Sequence, residues 1–139
     1  MCSKDFEIKI IDNWSEDELV ELYKAGGWWE DSYDKLKLKD LIKDSFVFMV
    51  VIEKKSGRAI GMGRLLSDGV SDAYIQDFVV LPKYRGRGIG KQLVKKLVEY
   101  CHSKGIHWIG LIAEPNQDGF YSKIGFKHMK NYVPMKYEE

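Results

Sequence analysis

The chain has 139 residues, 45% of them hydrophobic and 31% charged, which is typical of a globular protein with one core and excludes disordered and collagen-like classes. Its 22 Lys and Arg nearly balance its 21 Asp and Glu, so no overall charge favours nucleic acid or an anionic membrane surface. We therefore predict a single domain over residues 1–139 that binds neither nucleic acid nor a membrane.

The N-terminus and the cysteines indicate the cellular compartment. Residues 1–5 lead into a strand-like run and not into a basic segment followed by a long apolar stretch, so no signal peptide is predicted. Cys2 and Cys101 show neither metal-ligand spacing nor a disulfide framework, which predicts two free thiols in a reducing compartment. From the lack of a signal peptide and the free thiols, we expect a cytoplasmic protein. The three histidines are scattered as well, so we expect no metal ion.

The N-terminal part of the chain predicts one strand and two helices. Residues 6–11 fit a strand, and Ser15 with Glu18 forms a capping box that starts a helix ending at Gly26 and Gly27. The second helix is predicted from apolar residues at helical spacing, Leu36, Leu38, Leu41 and Ile42. The bend between the two helices is rich in aromatic and acidic residues.

The middle of the chain predicts a sheet that is built in sequence order. Residues 46–52 fit a buried strand and residues 59–66 its hairpin partner. A third strand at residues 73–81 ends at Pro82, which cannot continue a hydrogen-bonded ladder. A loop is therefore predicted to begin at this proline.

The clearest helical pattern follows that loop. Apolar residues recur at spacings of three, four and one at Ile89, Leu93, Val94, Leu97, Val98 and Cys101. This helix is predicted to end near Lys104, with Gly105 in the left-handed cap position. The remaining predicted elements are a strand at 108–113, a short helix at 117–123, and two terminal strands at 126–130 and 133–136.

The loop before this helix predicts an anion site. Gly86, Gly88 and Gly90 alternate with other residues between a strand and the first turn of a helix, where unpaired amides and the positive end of the helix dipole favour phosphate. The side chains of Arg85, Arg87 and Lys91 add positive charge at the same place. This arrangement suits a pyrophosphate.

Two common phosphate motifs do not fit this spacing. A Walker A loop needs Ser or Thr after its lysine, whereas Lys91 is followed by Gln92. A dinucleotide fingerprint with Gly86 and Gly88 as its first two glycines needs a third glycine where Lys91 stands. A basic surface turn is an alternative interpretation, and an RNA-binding stripe is disfavoured because no aromatic platform accompanies the charges.

Two motifs resemble the GCN5-related N-acetyltransferases (GNATs). Arg85, Gly88 and Gly90 fit the family hallmark Arg/Gln-x-x-Gly-x-Gly/Ala, and residues 120–126, Phe-Tyr-Ser-Lys-Ile-Gly-Phe, resemble its second hallmark, Phe-Tyr-x-Lys-x-Gly-Phe. Residues 75–90 are particularly similar to diamine and polyamine acetyltransferases. The resemblance implies an α/β (α+β) fold with a mixed, mostly antiparallel central sheet of about six to seven strands flanked by about four helices.

The resemblance also implies acetyl-CoA as co-substrate, with no metal. Backbone groups of Phe78, Val79 and Val80 are expected to hold the pantetheine arm like an added strand, which requires a bulge that splays the strand edge. The pyrophosphate is expected at Arg85 and at the amides of Gly86, Arg87, Gly88, Ile89, Gly90 and Lys91.

Direct transfer to an amine in a ternary complex needs a proton donor for the departing thiolate and a way to deprotonate the amine. By resemblance, Tyr121 is the predicted donor and also touches the cofactor. Family members usually carry Glu or His where this chain has Tyr74 and Gln76. We expect Gln76, Tyr74 or Glu114 to hold a water chain that removes the proton, and a direct role of Asp77 or Glu114 as the base is the alternative. Strand alternation predicts that Asp77 points to the face opposite Gln76.

The bend between the first two helices is the predicted acceptor site. Trp28, Trp29 and Glu30, with Tyr74 and Gln76 from the strand, combine aromatic faces with a carboxylate and suit a small cationic primary amine. A protein lysine or N-terminal amine is an alternative acceptor, and a CoA-binding module without catalysis is an alternative function. A homodimer through the edge of the terminal strands is also expected.

Overall fold

The computed structural model describes residues 5–139, so the predictions for residues 1–4, including the free thiol at Cys2, lie outside the described residues. The described residues form five strands, β1 (Phe6–Ile10), β2 (Val47–Glu53), β3 (Ala59–Ser67), β4 (Asp72–Val80) and β5 (Trp108–Gly110). The same part of the chain forms four helices, α1 (Glu16–Ala25), α2 (Leu38–Asp44), α3 (Ile89–Ser103) and α4 (Asp118–Ser122). Short 3-10 turns at Lys35–Lys37 and Pro82–Tyr84 lead into α2 and out of β4.

The strands form a single sheet in sequence order, β1-β2-β3-β4-β5. Neighbouring strands from β1 to β4 are antiparallel, whereas β4 and β5 run parallel because α3 forms the crossover between them. The predicted mixed, mostly antiparallel sheet with four helices is confirmed, but the predicted number of six to seven strands is wrong.

The helices pack on opposite faces of this sheet. A Cβ added to Gly63 on β3 would lie 3.0 Å from Leu97 of α3. The neighbouring Arg64 contacts Ser45 at the end of α2, and its partner Asp77 contacts Tyr23 of α1. Successive strand residues face opposite sides of a sheet, so α3 covers one face and α1 with α2 the other.

Local sequence signals set the ends of the two longest helices. The Glu18 amide donates to Ser15 Oγ at 3.3 Å, which caps α1, while the Glu18 carboxylate accepts the Ala59 amide of β3. At the end of α3, the amides of Gly105 and Ile106 donate to the carbonyls of His102 and Cys101, the pattern of a Schellman cap. Both predicted helices are thereby confirmed.

The C-terminal strands are the main error of the sequence-based prediction. Strand β5 covers only Trp108–Gly110, and residues 126–130 and 133–136 form no strand. Phe126 packs against Tyr121, but the apolar side chains of Met129, Val133 and Met135 lie in solvent, with exposures of 48%, 74% and 90%. A strand needs a partner edge as well as alternating side chains, and these residues have no such partner within the described chain. The edge expected for homodimer contact is consequently not formed by them.

Candidate active site

The second half of β4 has an open edge. The ladder between β4 and β5 consists of the pairs Asp72 with Trp108, Ala73 with Ile109 and Tyr74 with Gly110. Beyond Tyr74 the ladder ends, so residues 75–80 have no strand on this side within residues 5–139. Their free backbone groups can accept an added extended chain.

A β-bulge interrupts β4 on its other side. Met62 pairs with Val79 and Arg64 pairs with Gln76, so that Asp77 and Phe78 together lie opposite Gly63. Asp77 has φ 55°, a left-handed backbone conformation that is uncommon outside glycine. The bulge lies where the resemblance requires a splayed strand.

The open edge leads to the N-terminus of α3. Gly86 and Gly88 have φ 78° and 81°, which other residues rarely adopt, and Gly88 is the N-cap of the helix. The Gln92 amide donates to the Gly88 carbonyl at 3.2 Å. The preceding amides, those of Ile89, Gly90 and Lys91, therefore have no helical acceptor and mark the positive end of a helix of 15 residues.

The charged side chains of this loop have different surroundings. Arg85 Nε donates a hydrogen bond of 2.8 Å to the Val80 carbonyl oxygen, so this guanidinium holds the end of β4. Arg87 lies over the Tyr84 ring with 5.9 Å between its Cζ and the centroid. Lys91 is exposed, whereas the Ile89 side chain is buried in the core, which leaves only its backbone available to a ligand.

Gly90 makes room for an aromatic cluster beside the helix N-terminus. A Cβ at this position would lie 3.2 Å from Phe120 and 3.6 Å from Phe78. Tyr121 joins the cluster, with ring centroids 6.0 Å from Phe78 and 5.0 Å from Phe120. The hallmark glycine at position 90 thus packs the two hallmark segments against each other.

Tyr121 is half-buried in this cluster. Burial, together with the negative charge of Glu114, raises the pKa of Tyr121 to about 12. No hydrogen bond within the described residues engages its hydroxyl. The side chain is therefore a neutral phenol with a free O–H at neutral pH.

Glu114 brings the first bend and the C-terminal segment together. Its Oε1 accepts a hydrogen bond of 3.0 Å from Trp28 Nε1. The Trp28 ring packs edge-on against Tyr23 of α1 at a centroid distance of 6.3 Å. Trp28 thus holds the carboxylate whose charge acts on the Tyr121 phenol.

The other two residues predicted from the bend lie elsewhere. Trp29 packs against Tyr33 and Tyr23, with ring centroids 5.5 Å and 6.4 Å apart, and lines an open cavity of about 450 Å³ on the outer side of α1. Asp17 and Lys35, which also line it, form an ion pair of 3.0 Å. Glu30 is exposed. The structure brings only Trp28 of the three to Glu114, because the chain reverses direction between Trp28 and Tyr33.

Tyr74 and Gln76 are both exposed on the α1 face of β4. The Tyr74 ring lies 5.3 Å from that of Trp108, centroid to centroid, on the neighbouring strand. The prediction that Asp77 points to the opposite face from Gln76 is wrong, because Asp77 is bonded to Arg64, which lies directly opposite Gln76 in the ladder. The bulge breaks the alternation on which that prediction depended.

The sequence-based reasoning missed the roles of Tyr23, Arg64 and Trp108. Tyr23 and Arg64 bind Asp77, and Trp108 packs on Tyr74. Tyr23 follows the apolar pattern of α1 and Arg64 occurs in an ordinary strand, so no local signal distinguishes them.

Comparison with known proteins assigns the class to which this fold and site belong. Residues 9–126 match the model of the Acetyltransferase (GNAT) family. The chain therefore belongs to the GNAT family and is an acetyltransferase. Acetyltransferases of this family use acetyl-CoA as the acetyl donor.

Individual proteins show the same similarity. The N-acetyltransferase ycf52 of Pyropia yezoensis is 32% identical over 125 residues, which cover 88% of this chain and 71% of that protein. The chloroplastic serotonin N-acetyltransferase 2 of Oryza sativa subsp. japonica is 39% identical over 71 residues, 51% of this chain and 36% of that protein. A solved GNAT acetyltransferase of Streptococcus pneumoniae superposes with a TM-score of 0.79 at 26% identity, covering 96% and 98% of the two chains.

The described part of the chain lacks two further structural features. None of its helices has the length and hydrophobicity needed to cross a membrane. Residues 5–139 also contain no group of three His, Cys, Asp or Glu side chains arranged to hold a metal ion.

Proposed function

We propose that the chain transfers the acetyl group of acetyl-CoA to a small cationic primary amine by direct attack in a ternary complex. The amide bond forms as the thioester C–S bond breaks, the amine nitrogen loses a proton, and the departing thiolate takes one. The observation that carries the proposal is the Glu114 carboxylate, held by Trp28 and near enough to Tyr121 for its charge to raise that residue's pKa.

The donor is proposed to lie along the open edge of β4 and across the N-terminus of α3. The backbone of Phe78, Val79 and Val80 would hold the pantetheine arm as a strand is held. The unpaired amides of the loop and helix would hold the pyrophosphate, with Lys91 and Arg87 adding charge. The end of β4 that presents these groups is fixed by the hydrogen bond from Arg85 to Val80.

Tyr121 is proposed to donate the proton to the thiolate. Its raised pKa keeps the phenol protonated over the physiological range, so the proton is present whenever the thioester bond breaks. Its hydroxyl is not committed to another partner within the described residues. The backbone amide of Val80 is proposed to stabilise the carbonyl oxygen as negative charge develops on it.

The acceptor is proposed to enter between Trp28 and Tyr74. A carboxylate with aromatic faces attracts an ammonium group by charge and by cation–π contact. Glu114 and the exposed Gln76 would then pass the ammonium proton to solvent through bound water. We propose water for this step because neither side chain is placed as a direct base on the amine nitrogen. The rice relative named serotonin N-acetyltransferase 2 supports a small primary amine as acceptor.

An amine panel tests the proposal. The purified protein is supplied with acetyl-CoA and with polyamines, arylalkylamines, aminoglycosides or lysine peptides, and free thiol is recorded against a reaction without amine. We expect release with one of the small amine classes, and no more than background release with the Tyr121→Phe variant.

The other outcomes of the panel are equally informative. Faster release with lysine peptides than with every small amine would identify a protein acetyltransferase instead. CoA binding without thiol release for any amine would support a CoA-binding module without catalysis.

A further inference from the structure

We propose that Tyr23, Arg64 and Asp77 form a polar clamp that holds the β-bulge of β4, and that this clamp positions the strand edge on which the acetyl donor binds. The three are positioning residues, since they act through the backbone of β4 and not on the reacting atoms. This inference rests on the proposed function, because it assigns the clamp to the same donor site.

The clamp centres on a single carboxylate oxygen. Asp77 Oδ2 accepts a hydrogen bond of 2.6 Å from Arg64 Nε and one of 2.7 Å from the Tyr23 hydroxyl. The side chains of Arg64 and Asp77 are 15% and 19% exposed. Such a charge-assisted pair, largely shielded from water, fixes geometry more strongly than a surface ion pair.

Two more elements hold the clamp. Arg64 Nη1 donates to Ser45 Oγ at 3.3 Å, and Ser45 Oγ in turn donates to the Leu41 carbonyl at 2.7 Å. Burial and the Asp77 carboxylate raise the pKa of Tyr23 well above its ordinary value, so its hydroxyl remains a donor. The carboxylate is thus tied to α1, α2 and β3 at once.

The held residue is also the one with the unusual backbone. Asp77 has φ 55°, and a non-glycine residue in this region persists only where its surroundings determine it. This residue lies in the bulge itself, where the register shifts between the pair of Met62 with Val79 and the pair of Arg64 with Gln76. The contacts of the Asp77 carboxylate with Arg64 and Tyr23 hold the backbone in this conformation.

What the bulge positions is the next residue and the edge beyond it. The Phe78 ring contacts Tyr121, with 6.0 Å between the two ring centroids. Gly63 leaves space for the Phe78 ring, because a Cβ at position 63 would lie 3.2 Å from it. Without the bulge, a one-residue change of register would turn Phe78 to the other face of the sheet. The backbone groups of residues 78–80 would then no longer face the acetyl donor.

The clamp also reaches the acceptor side. The Tyr23 ring, whose hydroxyl binds Asp77, packs against Trp28 at 6.3 Å, and Trp28 donates to Glu114. A shift of Tyr23 would therefore move one wall of the proposed amine site. The proposed donor site and the proposed amine site are therefore both held in place by Tyr23.

The test compares three substitutions in the full chain. Asp77→Gly removes the carboxylate but tolerates positive φ, Asp77→Asn keeps an acceptor and tolerates positive φ, and Tyr23→Phe removes one hydroxyl and keeps the ring. The control is Glu21→Gln, which breaks the exposed ion pair of α1 with Arg58. All measurements are made at a temperature well below the unfolding midpoint of each variant. They are CoA affinity by titration calorimetry, steady-state kinetics, and the hydrogen exchange of the backbone amides of residues 78–80.

We expect Asp77→Gly to weaken CoA binding and raise the KM for acetyl-CoA by at least tenfold, with faster exchange at residues 78–80. Asp77→Asn should recover most of that loss, and Tyr23→Phe should show a smaller loss of several-fold. The Glu21→Gln control should bind CoA as the parent does. If Asp77→Gly does not fold, the Asp77→Asn and Tyr23→Phe comparison with the control decides the matter alone.

Two outcomes would overturn the inference, and they differ in meaning. If the parent binds CoA and the folded clamp variants bind it equally well with unchanged KM, the residues are merely structural and the proposed function stands. If the parent itself neither binds CoA nor releases thiol, the proposed function fails and the clamp fails with it.

Discussion

Trp28 Nε1 donates a hydrogen bond of 3.0 Å to Glu114 Oε1, joining residues that are 86 positions apart in the chain. The bond orients a carboxylate beside Tyr121 and spans the region in which we place the amine. In the proposed amine site, Glu114 supplies the negative charge and Trp28 the aromatic wall. The two contributions can therefore be tested by separate substitutions.

Glu114→Gln should raise the KM for the amine by about tenfold, because the amide still accepts from Trp28 but no longer attracts a cation. The KM for acetyl-CoA should change by less than about twofold, since the donor site is separate. Initial rates over both substrates measure this. An equal rise in both KM values would contradict a specific role at the acceptor.

Trp28→Phe should have a smaller effect on the amine KM, about threefold, because the ring remains while the bond that orients Glu114 is lost. The matched control is Trp29→Phe, whose indole lines the separate cavity next to Tyr33. Kinetics with one active amine suffice. A larger effect at Trp29 would place the acceptor on the outer side of α1.

Tyr121→Phe should lower kcat by about 10²- to 10⁴-fold, the usual contribution of a positioned acid, while CoA binding stays within about twofold. Because the pKa of Tyr121 is raised to about 12, activity should show no alkaline decline from this group until the pH approaches that value. A pH–rate profile of parent and variant checks both points. Unchanged kcat in the variant across the profile would remove Tyr121 from the reaction.

The same phenol makes stability depend on alkaline pH. Its folded pKa of about 12 exceeds the unfolded value of about 10, so the stabilisation is complete below about pH 10 and is lost as pH rises toward 12. At pH 11 the parent should have lost about 1 kcal/mol that Tyr121→Phe does not lose. Urea unfolding at pH 8 and pH 11 measures this, with the exposed Tyr132→Phe as control.

Much of this molecule could be predicted because the signals are local. Ser15 caps α1, Gly105 ends α3, and the glycines at 86 and 88 adopt positive φ, each for reasons contained within a few neighbouring residues. The spacing of Arg85, Gly88 and Gly90 likewise indicated the family, which the match to residues 9–126 shows. Short-range geometry of this kind is written directly in residue type.

The remaining features depend on contacts between distant segments. The bulge at Asp77 exists because Arg64 and Tyr23 hold it, and neither residue is distinguished by its own neighbours in sequence. The predicted strand at residues 133–136 has the right alternation, yet alternation cannot say whether a partner edge is present. Register and edge pairing are properties of the assembled sheet.

The loop arginines provide a last prediction that separates charge from position. Arg85 donates from Nε to the Val80 carbonyl at 2.8 Å, whereas Arg87 lies over the Tyr84 ring. Both Arg→Lys changes keep the positive charge, but a lysine ammonium cannot reproduce the guanidinium geometry at Val80.

Arg85→Lys should therefore raise the KM for acetyl-CoA by about fivefold to tenfold, because the end of β4 loses its tether. Arg87→Lys should change it by less than about twofold, since general attraction for phosphate is retained. Kinetics at two salt concentrations complete the measurement. If both variants lose affinity equally and salt abolishes the difference from the parent, Arg85 acts only as a charge and its contact with Val80 has no part in donor binding.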